Sequence, residues 1–438
     1  MRMKCIAPLL VLALVTVGTE RGTAAGSKPK PVSYTLTQLD AADPRFRSGA
    51  QMISENGVVA GHSGEPNYNG FAWSAETGWV DLTLGGTLSL AAGISPNGIV
   101  TGASFLPGDE VVHGFIWTVT DGILDIGGLG GPETVPQSVN SSGMAVGYSN
   151  TTDGRSHAFV WTRTGGLVDI DPTGTDSSAR FVTEDGLVIG TIYDPAGDHV
   201  LLWSDAGGLT TLPRLGDHMY PGYVNRHGAF AGYYYVTDEF AGTYYWSPAT
   251  GVVDIGSLGG AEIYPLAIGD DGTVVGAGTT ASGETHAFVW SVAGGLVDLG
   301  SFGGKNSFAT GVNANGLVTG YSEIDADGRE RAFVWTAAKG ITQLPTLGGP
   351  RSEGLFVTDA GMVIGVSDGK NGSGLHAFVW TEDGGMVEMP SLGHLDYVNA
   401  INQSGAFVGF SSIKKNGDDQ HAALWMPSPD KNPGKGTR

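Results

Sequence analysis

From about residue 48 almost to the C-terminus, short runs of alternating apolar and polar residues recur at a fixed spacing. The stretch 306–349, NSFATGVNANGLVTGYSEIDADGRERAFVWTAAKGITQLPTLGG, contains the whole pattern once. Alternation over about four to eight residues marks a half-buried strand. It predicts strands at Ala309–Asn313, Leu317–Ser322, Arg331–Thr336 and Ile341–Leu344, with an acidic loop, Glu323–Glu330, between the second and third. Phrases like Arg331-Ala-Phe-Val-Trp335 end in Trp73, Trp117, Trp161, Trp203, Trp246, Trp290, Trp335, Trp380 and Trp425, at steps of 42 to 45 residues, so nine units follow. Four short strands per repeat of this length is the arithmetic of a β-propeller blade, and a fixed period outweighs the two or three domains that length alone would allow.

Two glycines punctuate each unit. The first, at Gly57, Gly98, Gly143, Gly186, Gly228, Gly272, Gly316, Gly361 and Gly405, sits between two apolar runs and predicts a hairpin turn that needs positive φ. The second stands four residues later in every unit, from Gly61 to Gly409. Inside a strand it marks a bulge or a close approach, and packing between adjacent units is the expected cause. The segment Tyr34–Leu39 looks like a fourth strand that has arrived before the first unit, whereas the last unit has three strands and then a polar tail. Pairing the two would close a ring and cover an open edge. The expected fold class is therefore all-β, a single propeller of about nine four-stranded blades over 34–426, closed by the N-terminal strand. Eight blades with one degenerate unit, or an open β-repeat array, remain as alternatives.

Glycine is abundant at 72 residues and charged residues are only 15%, but 41% of the chain is hydrophobic, with ten Trp, so the glycines read as turns rather than disorder. Arg2 and Lys4, the apolar run Ile6–Val17 and small residues ending at Ala25 have the layout of a secretory signal peptide. This predicts a signal over 1–25, a linker over 26–33, a disordered tail over 427–438, and export to the periplasm or the medium. A second apolar run of about 18 residues is missing, so no transmembrane segment is expected. Cys5 lies in the signal and is the only cysteine, which leaves the mature chain without disulfides or thiolate ligands. The formal charge of −21 grows more negative with cleavage and disfavours nucleic acid.

His157-Ala-Phe-Val-Trp161, His286-Ala-Phe-Val-Trp290 and His376-Ala-Phe-Val-Trp380, each followed by Gly-Leu/Met-Val-Asp/Glu, resemble the bacterial extracellular repeat family named for the tripeptide His-Ala-Phe. The resemblance covers nearly all of the mature chain, with departures at His199–Trp203, Tyr244–Trp246 and Asn69–Trp73. It implies an exported repeat protein and carries no activity with it.

Candidate chemistry is sparse. His113, His157, His199, His286, His376 and His421 precede the unit's Trp by four residues, so His, Phe and Trp share one strand face as a column against the next blade. The imidazoles are expected to order loops, and neither metal nor cofactor is expected. Asp81, Asp125, Asp169, Asp254, Asp298 and Glu388 recur in the fourth strand, where a charge guards an outer edge. Asp325-Ala-Asp327-Gly328 and Asp270-Asp271-Gly272 read as turns rather than calcium loops. No hydrolase, zinc-protease or nucleotide signature appears.

One position varies where the frame does not. Near the start of each first strand stand Gly49, Leu90, Val135, Ser178, Tyr220, Tyr264, Phe308, Glu353 and Tyr397. If those strands line the mouth of a central channel, Tyr220, Tyr223, Tyr264, Phe308, Arg351, Glu353, Asp396 and Tyr397 form the candidate ligand site, with Glu262 and His218 beside them and Arg226, Tyr233, Tyr234, Tyr235 and Tyr244 added by the fifth unit. The expected function is a monomeric binding scaffold for a glycan or extracellular protein. The alternatives are a carbohydrate-active hydrolase or lyase using Glu133, Glu262, Glu353 and Asp396, and a structural component of the cell surface.

Overall fold

A computed structural model describes residues 33–40, 47–64, 69–172, 174–237, 239–415 and 417–428. The expected signal peptide lies outside these residues, as do the linker apart from Ser33 and the polar tail beyond Ser428. The described chain is almost all β: 36 strands, one 3₁₀ turn at Lys370–Gly372 and no α-helix. No helix of the described residues is long and apolar enough to cross a membrane. The strands form five four-stranded and two eight-stranded sheets. Each eight-stranded sheet is two four-stranded units joined by one parallel bridge, Glu133 with Val112 or Leu375 with Leu395. The units are numbered by residue range: first 48–81, second 89–127, third 130–169, fourth 176–211, fifth 218–254, sixth 259–300, seventh 307–343, eighth 348–388 and ninth 395–427.

In the seventh unit Ser307–Val312, Val318–Glu323, Glu330–Thr336 and Gly340–Gln343 pair antiparallel in chain order, as in a propeller blade. The hairpin turn is built by Asn313, whose Oδ1 accepts the N–H groups of Asn315 and Leu317 at 3.0 Å each, while Gly316 takes φ 73°. The second glycine has a cause inside its own unit. The first strand carries a bulge at Thr310, which draws the Phe308 carbonyl so close to Gly320 that an added Cβ would overlap it. The Phe333 ring covers the glycine's other side. All nine units repeat this bulge, at Gln51, Ala92, Gln137, Arg180, Gly222, Leu266, Thr310, Leu355 and Asn399.

Units join through a fixed set of contacts. The third-strand alanine N–H donates to a serine that opens the next unit, as Ala287 does to Ser307 Oγ (2.7 Å) and Ala332 to Ser352 Oγ (3.1 Å). The turn asparagine donates to the next turn, as Asn313 does to Thr358 O (2.8 Å). Val275, Ala287 and Val289 of the sixth unit pack on Ala309, Val318 and Phe333 of the seventh. The Phe column thus faces the preceding unit, reversing the expected direction; period-2 alternation separates two faces but does not say which neighbour each meets.

The same contacts link the ninth unit to the first. Ala422 N donates to Ser48 Oγ at 2.8 Å, Asn402 Nδ2 to Ser54 O at 3.1 Å, and Val408, Ala422 and Leu424 share a core with Ala50, Val59 and Phe71. The early strand, Tyr34–Gln38, pairs antiparallel with Gln420–Pro427 as the fourth strand of the ninth unit.

Candidate functional site

The bulge and its glycine hold one residue of each first strand beside a partner on the second strand, at the position that the sequence marks as a candidate mouth. In the fifth and sixth units these pairs are rich in tyrosine. Tyr220 lies opposite Tyr233, and ring contacts run from Tyr220 to Tyr233 (5.6 Å), Tyr233 to Tyr235 (6.0 Å), Tyr235 to Phe240 (5.8 Å) and Phe240 to Tyr264 (4.5 Å). Edge and tilted contacts of this length are the favoured geometry for aromatic pairs. Tyr220 donates its hydroxyl proton to Asp198 Oδ2, and burial together with that carboxylate pushes its pKa far up. Tyr264 is 40% exposed, so the run of rings is open at that end, whereas Tyr220 at the other is half-buried; Tyr193 of the fourth unit is 44% exposed. Arg180, the bulge residue of the fourth unit, lies over Phe181 with 5.3 Å to the ring centroid.

The seventh to ninth units use the same position differently. Phe308 stacks on Tyr321 (5.1 Å) and Tyr397 on Phe410 (5.8 Å). Between them Arg351 is bound on two sides: its Nε lies 2.9 Å from Glu330 Oε2 and its Nη2 donates to Glu353 Oε1. Glu353 is only 8% exposed. Burial raises the Glu330 pKa; Arg351 pulls it down and Glu353 pushes it up. The Tyr321 hydroxyl is pushed up to about 12 by burial and then by Glu353 and Glu330.

Several candidates stand elsewhere. Asp396 is fully buried, accepts hydrogen bonds from Ser391 (2.8 Å) and Ser411 (2.5 Å), and lies 3.4 Å from His376 Nδ1, so it belongs to the frame and not to the mouth. Tyr244 is buried in the core, and Tyr234 donates to Asp254 (3.1 Å). Tyr223 lies deeper, in the wall of a cavity near the hairpin turns, and Arg226 sits at that turn end, 3.3 Å from Asp270. Glu133 accepts the Tyr148 hydroxyl at 3.2 Å. Sequence reasoning missed Arg180, Tyr193, Phe240, Tyr321, Glu330 and Phe410. Counting strand register back from the turn would have paired Phe308 with Tyr321 and Tyr397 with Phe410.

Three of the repeated histidines, read separately from the acids in the sequence, are close partners of an acid in their own unit. His113 pairs with Asp125 (2.9 Å), His157 with Asp169 (2.7 Å) and His286 with Asp298 (2.9 Å), third strand to fourth. In the ninth unit Asp40, just beyond the early strand, takes the place of the acid and lies 2.8 Å from His421. Asp81 accepts from Trp79 Nε1 at 2.8 Å. These carboxylates fasten the outer strand as well as charging it. Among the described residues no three His, Cys, Asp or Glu side chains are grouped to hold a metal ion.

No family model matches the chain, and no curated protein matches it. Among solved structures it is similar to TolB from Acinetobacter baumannii, at 15% identity and TM-score 0.35, covering 57% of this chain and 62% of that one. It is also similar to a catalytically inactive virginiamycin B lyase from Staphylococcus aureus with quinupristin, at 10% identity and TM-score 0.34, covering 90% and 99%. A third is the β-propeller domain of the trilobed protease from Pyrococcus furiosus, at 11% identity and TM-score 0.39, covering 72% and 98%. These likenesses extend no further than the arrangement of strands.

Proposed function

We propose that the chain is an exported propeller of the His-Ala-Phe repeat type, a closed ring of nine blades, that binds a glycan or protein partner at the tyrosine-lined sector of one mouth. The ring reading is supported by the contacts of Ala422 with Ser48 and Asn402 with Ser54, which repeat those between consecutive units. The observation that carries the binding reading is the run of five touching rings from Tyr220 to Tyr264, ending in a 40% exposed tyrosine. Rigid aromatic faces with hydroxyls at their edges present an apolar platform rimmed by hydrogen-bonding groups, which suits the C–H faces and hydroxyls of a sugar. The hydrolytic alternative loses two of its four carboxylates, Glu353 to Arg351 and Asp396 to the interior, whereas glycoside hydrolysis needs a free pair.

The test is a glycan and protein array probed with the mature chain and with a Tyr220→Ala/Tyr264→Ala variant of unchanged melting behaviour. The proposal expects hits on glycans that the variant loses. Identical hits for both proteins would remove the tyrosine sector from the binding account.

A further inference from the structure

At the bulge of the first strand, side chains tie one unit to the next. Gln137 Nε2 donates to Ser178 Oγ at 3.4 Å, Thr310 Oγ1 to Gly354 O at 2.8 Å and Asn399 Nδ2 to Ala50 O at 2.8 Å. Arg180 holds this position in the fourth unit and makes no such bond. It is exposed, with the Phe181 ring 5.3 Å from its guanidinium carbon, and the next unit's bulge residue, Gly222, has no side chain to set against it. Every other described arginine is paired with a carboxylate or donates to a backbone carbonyl. Arg180 alone among the described arginines has neither a hydrogen bond nor an ion pair.

Phenols stand around this charge. Burial and then Asp198 push the Tyr193 pKa up, and burial pushes up that of Tyr223; in both cases Arg180 pulls the other way and Tyr233 adds to the rise. A pull on both hydroxyls sets the guanidinium near both. Tyr193 is 44% exposed and Tyr223 and Tyr233 are half-buried, and none of their hydroxyls has a hydrogen-bond partner among the described residues. Tyr233 is also the second ring of the run that begins at Tyr220. Asp198, the acid felt by Tyr193, is taken by the Tyr220 hydroxyl and by His218 at 3.0 Å. The chain carries a formal charge of −21, yet no described carboxylate is set against this guanidinium.

We infer that the partner of the tyrosine arc is an acidic glycan, and that a uronate carboxylate of it takes the N–H groups of Arg180 among the hydroxyls of Tyr193, Tyr223 and Tyr233. This rests on the glycan reading of the arc and narrows it. A flat carboxylate meets the flat guanidinium fork through two parallel, charge-assisted hydrogen bonds, and a phenol can donate a third. The sugar ring that bears the carboxylate then lies next to Tyr233 and Tyr220, whose faces suit its C–H groups. An acidic peptide offers the same carboxylate without that rigid ring.

The test is titration of the mature chain with oligomers of galacturonate, glucuronate and mannuronate, each beside its carboxyl-reduced form, in which the carboxylate has become a primary alcohol. At least one uronate should bind about tenfold or more tightly than its reduced form, the worth of one charge-assisted contact. Arg180→Gln should bring that uronate down to the level of the reduced form, in a protein whose melting is unchanged because Arg180 makes no bond within the fold. Tyr220→Ala/Tyr264→Ala should weaken both forms. Equal affinity for the two forms, an affinity for the uronate untouched by Arg180→Gln, or binding of an oligoglutamate peptide in place of the uronates would overturn the inference. Neutral glycans that bind and are lost in the tyrosine variant but not in Arg180→Gln would overturn it while leaving the glycan reading in place; no glycan lost in the tyrosine variant would remove both.

Discussion

The tyrosine sector of the fifth and sixth units and the charged sector of the seventh to ninth are built on one backbone position. Behind each lies the same bulge and the same glycine, whose missing Cβ lets the first-strand carbonyl approach. Only the side chains differ. In the first sector rings touch rings and end in the exposed Tyr264; in the second, Arg351 is held between Glu330 and Glu353 and the neighbouring rings stack in pairs within their own units. Both sectors keep one open ring, Tyr264 at 40% and Tyr397 at 37% exposure. What differs is that the rings of the first run on from unit to unit, whereas those of the second pair within a unit beside charges that satisfy each other.

The largest effect should fall on both sectors alike. Gly276→Ala and Gly365→Ala each drive a Cβ into the carbonyl of the residue at the mouth, Tyr264 or Glu353, and against Phe288 or Phe378. Since backbone must move, each should cost about 3 kcal/mol or more in denaturant unfolding. A difference of more than about 1 kcal/mol between them would mean that the two frames are not equivalent.

Next comes a change confined to the charged sector. Arg351→Ala leaves Glu330 and Glu353 as close like charges and should cost about 1–3 kcal/mol at neutral pH. A carboxyl whose folded pKa is raised favours the fold only while protonated, so stability falls as pH rises through that value. The deficit of the variant should therefore shrink in melts at about pH 4, where carboxyls begin to protonate. Tyr264→Ala, in the other sector, should show no such pH signature.

The smallest effect concerns the frame behind the charged sector. Asp396, whose Oδ2 lies 3.4 Å from His376 Nδ1, holds the His376 pKa above its usual value against the opposing pull of burial. A raised imidazole contributes stability that is fully present below its unfolded value and is lost as pH rises through the folded one. Asp396→Asn should destabilise more at about pH 5.5 than at about pH 8.5. Equal losses at both would assign the role of Asp396 to Ser391 and Ser411 alone.

Much of the frame was legible in the sequence. Turn glycines, strand bounds within one or two residues, and the role of Tyr34–Leu39 as a displaced fourth strand follow from period-2 alternation and turn chemistry. The second glycine pointed to a bulge or a close approach, but the place of the bulge on the facing first strand was not legible, because an extra residue in a strand leaves no mark when its side chain varies from Gly222 to Arg180. Nor was the His–Asp pairing, since twelve residues of sequence separate partners that only the third-to-fourth hairpin brings together. At the site, Tyr220 and Tyr264 could be marked as variable against a uniform background. Whether a marked residue is open, like Tyr264, clamped, like Glu353, or enclosed, like Asp396, depends on neighbours in other strands and units that repeat spacing does not specify.

The central claim is that binding belongs to the tyrosine arc and not to the mouth as a whole. It is tested most directly by titrating the best array hit against two double variants, Tyr220→Ala/Tyr264→Ala and Phe308→Ala/Tyr397→Ala. The account predicts a loss of about thirtyfold or more in the first and within about threefold in the second, as expected when a few aromatic anchors carry the binding energy. Equal losses, or a greater loss in the second, would contradict it.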